Sequence, residues 1–313
     1  MRVSTHHLTT WALLSLVACD GIPVPPVDGG TGGDTATGGD TATGGTVGDS
    51  CAHNTRSPGR SVETIAVDGV SRSYILYVPQ SYDGSKEVPL VVDWHPLLAD
   101  AAFAEQNSGY KELADQEGFI VAFPDSLESA AWNIGPCCTE SRDVDDVGFA
   151  RKLVAEVAAT ACIDEDRVYS TGYSMGGGMS HYLACEAADI FAAVAPAAFD
   201  LLEENSCAPS RPITVIGFRG TFDFIVPYDG GPSSPPNGVA VDITFEGAVD
   251  TFERWATING CTSSTTTDAH GCQVYPDCDG DVEVALCTNV SGSGHDFGDP
   301  SIAWETLQRF TRE

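Results

Sequence analysis

The chain has 313 residues, with 15 Lys+Arg against 45 Asp+Glu and a formal charge of -30. Such a surface repels phosphate backbones and anionic headgroups, which excludes nucleic acid and charge-driven membrane binding. The portion from Cys51 to Glu313 is long enough for one α/β domain with a substantial buried core.

Met1 to Ala18 reads as an export signal: Arg2, an apolar stretch from Leu8 to Val17, then small residues. Leu16-Val17-Ala18-Cys19 resembles a bacterial lipobox, in which Cys19 carries lipid and becomes the mature N-terminus. The apolar stretch is too short for a permanent span, so any membrane attachment is expected through lipid alone. Residues 19–50 form a linker. Its Gly-Gly-Asp-Thr-Ala-Thr unit occurs at Gly32 and again at Gly38, and has too little apolar surface to offset the entropy of ordering. Residues 51–313 are expected to form a single catalytic domain.

The globular part opens with two extended runs, Val62 to Val67 and Ser71 to Val78, joined at the turn pair Asp68-Gly69. Val88 to Asp93 and Phe119 to Phe123 are apolar strands, with a helix predicted over Ala101 to Gln116. A second helix spans Val144 to Cys162, and a strand follows at Arg167 to Thr171. Gly177 to Ala187 reads as helix, Ala192 to Ala195 and Ile213 to Phe218 as strands. Val249 to Asn259 and Ser301 to Arg312 complete the helices, and Val282 to Asn289 the strands. Strands alternating with helices predict a mostly parallel sheet covered on both faces, with an antiparallel hairpin leading in.

Gly172-Tyr173-Ser174-Met175-Gly176 stands between a strand and a helix. A tight turn there lifts the serine hydroxyl into a cleft, and the next backbone N–H, that of Met175, faces a developing oxyanion. A serine hydroxyl needs a base, and the base an acid to orient it. In an α/β-hydrolase sheet these follow in the order serine, acid, histidine, each after a strand. Asp223 follows the Ile213–Phe218 strand and His295 follows the next one, so Ser174, Asp223 and His295 are the catalytic candidates. Asp200 precedes the strand, while Asp229 and Asp242 lie in a Pro/Gly-rich stretch. His270 sits in a cysteine-rich loop with no strand before it, and His181 on the following helix reads as packing or surface. The second oxyanion donor should come from Trp94-His95-Pro96-Leu97. Proline has no N–H, which leaves the Leu97 amide, with His95 orienting the loop.

Asp143, Asp145 and Asp146 suit a helix N-terminus. Asp277 to Asp281 lacks glycine at the sixth loop position (Val282) and glutamate at the twelfth (Thr288), which rules out an EF-hand. Of 11 cysteines, those other than Cys19 form an even set suited to disulfides, and their spacings match no zinc motif. Adjacent Cys137 and Cys138 are expected to bond to distant partners rather than to each other. No metal and no cofactor are expected.

The chain resembles secreted esterases related to feruloyl esterases and polyhydroxybutyrate depolymerases. The resemblance is carried by Asp145-Asp146-Val147-Gly148-Phe149, Cys162 to Tyr169, Thr171 to Gly177, Phe191 to Pro196, Val226 to Gly231 and Trp255 to Cys261. It implies an α/β-hydrolase fold and a metal-free serine mechanism, with Ser174 as nucleophile, Asp223 as acid and His295 as base. It also implies hydroxycinnamoyl esters of plant cell-wall polysaccharide as substrates. Polyester chains and acetylated xylan are the alternatives, and a stalked carbohydrate-binding module without turnover is the non-enzyme alternative. Relatives usually have His-Gly where this chain has His95-Pro96, His-Gly-Thr where it has Arg219-Gly220-Thr221, and a tryptophan and proline where Asp296-Phe297 follow the histidine. The expected partner is an ester substrate, with no nucleic acid, no membrane contact beyond the N-terminal lipid, and a monomeric chain.

Overall fold

The computed structural model describes residues 51–52, 54–127, 130–139, 143–233, 243–291 and 294–312. The export signal, Cys19 and the linker therefore lie outside the described residues, as does Asp242.

The hairpin forms with Asp68-Gly69 at its turn: β1 (Gly59–Val67) pairs antiparallel with β2 (Val70–Val78). Next come β3 (Val88–Trp94), α1 (Ala101–Asn107), α2 (Tyr110–Glu117) and β4 (Ile120–Pro124). The single helix expected from Ala101 to Gln116 is two, because Gly109 takes φ 80° and breaks the run. Asp100 caps α1 by accepting from the Phe103 amide.

The chain continues through α3 (Asp146–Thr160), β5 (Ile163–Tyr173), α4 (Met175–Glu186), β6 (Ala193–Ala197) and β7 (Thr214–Gly220). A two-stranded ribbon of β8 (Gly231–Pro232) and β9 (Thr244–Phe245) precedes α5 (Ala248–Ile258). Then follow β10 (Thr266–Thr267), β11 (Gln273–Tyr275), β12 (Val284–Asn289) and α6 (Pro300–Leu307).

The main sheet has the order β1-β2-β4-β3-β5-β6-β7-β12-β11-β10. From β4 to β12 neighbouring strands are parallel, while β1 and β2 at one edge and β10 and β11 at the other run antiparallel. Strands β3, β4 and β6 are buried along their whole length because both faces of the sheet are covered. Leu90, Val92 and Val168 point to the side that holds Phe149, Leu183 and Trp255, from α3, α4 and α5. Val91, Tyr169 and Ile216 point to the side that holds Leu113, Phe119 and Trp304. The last helix ends at Leu307, short of the expected Arg312. Beyond it the Phe310 carbonyl accepts from the Tyr169 hydroxyl at 2.9 Å, and Arg312 pairs with Asp166 at 3.0 Å, which draws the chain end along β5.

The described cysteines form five bridges: Cys51–Cys162, Cys137–Cys138, Cys185–Cys207, Cys261–Cys278 and Cys272–Cys287. The adjacent pair bonds to itself, against the sequence expectation. The Ile134 amide donates to the Cys137 carbonyl at 2.7 Å and the Cys138 amide to the Trp132 carbonyl at 3.2 Å, closing a tight turn. That turn buries Cys137 in the core, and every other described cysteine has a partner elsewhere.

Candidate active site

Ser174 sits at the joint of β5 and α4 with φ 54° and ψ −122°, a backbone state that a residue with a side chain adopts only under constraint. Its amide donates to the Ala197 carbonyl of β6 at 2.8 Å, and its carbonyl accepts from the Gly178 amide at 3.0 Å. The flanking glycines are required by close approach. A Cβ on Gly172 would lie 2.3 Å from the Gly176 carbonyl oxygen, and one on Gly176 would lie 1.8 Å from that of Trp94. The elbow is therefore wedged against the end of β3.

Asp223 and His295 lie on the loops after β7 and β12. The His295 ring is within 3.0 Å of Ser174 Oγ at Nε2 and within 2.8 Å of Asp223 Oδ2 at Nδ1. Asp223 accepts only, so Nδ1 carries the proton and Nε2 is the nitrogen that faces the hydroxyl. The other oxygen, Asp223 Oδ1, accepts from the amides of Ile225 and Val226 at 2.9 Å each. The Asp223 side chain is fully buried and that of His295 is 12% exposed.

Tyr173, the variable residue before the serine, latches the histidine loop. Its hydroxyl donates to the His295 carbonyl at 2.9 Å, and its ring stacks on Phe297 with centroids 4.0 Å apart. Burial pushes the Tyr173 phenol up to about 12, so it remains a donor at any working pH. Sequence reasoning gave Tyr173 no role. Its position beside the nucleophile was the available signal.

His95 is buried beneath the loop after β3. Its Nδ1 is 2.7 Å from the Pro96 carbonyl, which can only accept, and its Nε2 accepts from the Ser126 amide at 3.1 Å. These partners fix the neutral Nδ1–H tautomer, and burial lowers the pKa against the opposing pull of the Pro96 bond. The His95 carbonyl accepts from Trp132 Nε1 at 2.9 Å. His95 thus braces the loop that ends in Leu97. Among the described residues no protein carbonyl accepts from the amides of Leu97 or Met175, and Met175 opens α4, where the helix dipole favours negative charge.

The other candidates are engaged elsewhere. His181 is buried, accepts from Trp255 Nε1 at 3.1 Å, and is pushed down to about 3 by burial. His270 pairs with Glu305 at 2.7 Å on the surface. Asp145 caps α3 by accepting from the Gly148 amide, while Asp146 is buried against Arg72 at 2.7 Å. Asp200 pairs with Arg219.

The family model described as "Esterase PHB depolymerase" matches residues 72–216. Feruloyl esterase B of Piromyces equi is 42% identical over 249 residues, covering 77% of this chain and 45% of that protein. Feruloyl esterase C of Emericella nidulans is 30% identical over 190 residues, covering 57% of this chain and 66% of that protein. The chain is similar to esterases related to feruloyl esterases and polyhydroxybutyrate depolymerases.

The chain spans less than half the length of the Piromyces relative. Among solved structures, acetyl xylan esterase from Aspergillus awamori superposes with TM-score 0.57 at 16% identity, covering 79% of this chain and 99% of that one. A thermostable esterase gives TM-score 0.54 at 17% identity, covering 80% of this chain and 63% of that one. At these identities the likeness is one of fold, and the fold is that of the α/β-hydrolases. Against the usual pattern of the family, Arg219 takes the position before the acid loop. There it is buried, with its guanidinium between Asp200 and Asp223.

Proposed function

We propose that this chain is a serine carboxylic ester hydrolase of the feruloyl esterase type. Ser174 Oγ attacks the ester carbonyl carbon while His295 Nε2 takes its proton. The tetrahedral oxyanion is held by the amides of Met175 and Leu97. Collapse breaks the bond to the alcohol, which leaves with the proton from His295, and Asp223 stabilises the imidazolium in between. Water then attacks the acyl-serine by the same route and releases the acid. The observation that carries this reading is the unbroken hydrogen-bonded series from Ser174 through His295 to Asp223.

Phe222 and Phe224 bracket the acid and are 53% and 80% exposed, an apolar rim that suits an aromatic acyl group. The same rim suits a polyester chain, which keeps polyhydroxybutyrate depolymerase as the second reading. Release of ferulate from methyl ferulate, set against clearing of a polyester suspension, separates the two. Ser174→Ala should retain the fold and lose turnover by a factor on the order of 10⁵. A phenylmethylsulfonyl adduct should form on Ser174 of the native protein. Near-native rates in Ser174→Ala refute the assignment.

The five disulfides support an oxidising compartment, and we take the chain as exported. Lipid on Cys19 would hold it to an envelope membrane. Loss of palmitate incorporation in Cys19→Ser tests that attachment.

A further inference from the structure

Arg219 is the second-last residue of β7, and its side chain is only 2% exposed. A guanidinium stays charged at any working pH, so its burial demands partners. Nη1 forms an ion pair with Asp200, itself 1% exposed, in the loop after β6. Nη2 donates to the Val226 carbonyl at 2.7 Å and lies 3.8 Å from Asp223 Oδ2, the oxygen that holds the His295 ring. The Val226 amide in turn donates to Asp223 Oδ1. One side chain therefore ties the far end of the acid loop back to its strand, and does so beside the acid itself.

The charges form a set. Asp200, Arg219 and Asp223 sum to one negative charge, which an imidazolium at His295 would neutralise. Without Asp200 the sum is zero, and the unopposed guanidinium works against that imidazolium. Burial pushes Asp200 up to about 6, opposed by Arg219 and reinforced by the Asp223 charge. The other titratable groups facing the set are Tyr173 from β5, His181 from α4, Glu246 ahead of α5 and Asp296 beside the histidine. Tyr173 and His181 are neutral near pH 7, and Glu246 is paired with Arg254.

We propose that Arg219, locked to Asp200, is the positioning residue that fixes the Asp223 carboxylate, and that Asp200 offsets its charge so that Asp223 keeps its full pull on His295. This rests on the reading of Ser174, His295 and Asp223 as a catalytic series.

The test uses the near-isosteric Asp200→Asn and the double variant Asp200→Asn/Arg219→Met, with near-ultraviolet circular dichroism to check folding. Two quantities are followed: the acid limb of kcat/KM for methyl ferulate, and the titration of the His295 imidazole by nitrogen-15 NMR. In Asp200→Asn both should move to lower pH by about one unit, the effect of one uncompensated charge at this range. In the double variant both should return to the native position, while kcat stays down about tenfold because the Val226 tie is gone. A merely structural pair would lower stability and kcat and leave both titrations in place, and that result overturns the proposal. Should Asp200→Asn not fold, Asp200→Ser is equally uncharged and carries the same expectation. Should the native protein hydrolyse no ester, the esterase reading fails, and the imidazole titration still decides whether Asp200 and Arg219 govern His295.

Discussion

Gly176→Ala tests whether the elbow depends on backbone contact or only on the serine. The added Cβ would lie 1.8 Å from the Trp94 carbonyl oxygen and 3.0 Å from that of His95. Both partners are main chain, at the buried end of β3 and in the residue that follows it, so no side chain can swing aside. Reaching ordinary contact requires the start of α4 and the end of β3 to part by about 1.5 Å, far beyond what a close-packed interior absorbs. We expect a loss of at least about 3 kcal/mol in urea unfolding, at the upper end of overpacking costs. Because the displaced segment leads into Leu97, kcat of any folded fraction should fall by about a hundredfold. Gly217→Ala is the control. Its Cβ would meet nothing closer than 3.9 Å, so it should be neutral or gain about 0.5 kcal/mol from lower unfolded-state entropy. Equal unfolding midpoints and rates for native protein and Gly176→Ala would refute the close-approach argument.

The Cys51–Cys162 bridge spans 111 residues, so Cys51→Ser/Cys162→Ser should lose about 4–5 kcal/mol. The Cys261–Cys278 bridge spans 17, and its removal should cost only about 3 kcal/mol, both read from urea midpoints. His181 is held neutral, with its pKa down at about 3 against 6.5 when unfolded, so between those values the unfolded chain binds the extra proton. Stability is therefore lost as pH falls below 6.5. His181→Gln keeps an acceptor for Trp255 and should remove up to about 2 kcal/mol of that loss between pH 6.5 and 5. Parallel pH curves for native and variant protein would contradict it.

The elbow was legible because its determinants are local: a strand, a five-residue turn with glycine on both sides, and a helix, all within about 20 residues of chain. The candidacies of Asp223 and His295 were legible for a related reason, since loops at the carboxyl ends of parallel strands converge on one edge of the sheet. The hairpin and the alternation of strand and helix likewise follow from turn chemistry and apolar periodicity. Gly109 was the local miss, a glycine inside a helical pattern whose left-handed backbone splits one helix into two.

Tertiary structure alone decided the rest. Periodicity cannot show that β4 inserts between β2 and β3, or that short β10 and β11 extend the sheet beyond β12, because register is set by which faces find burial. The self-pairing of Cys137 and Cys138 goes with a tight turn that buries Cys137, while the other described cysteines pair among themselves. The Tyr173 latch and the Arg219–Asp200 pair behind the acid each join a strand residue to a loop that follows a different strand. Their partners are chosen by proximity in three dimensions and by the cost of leaving a buried donor or charge unmatched, and neither is written in the order of residues along the chain.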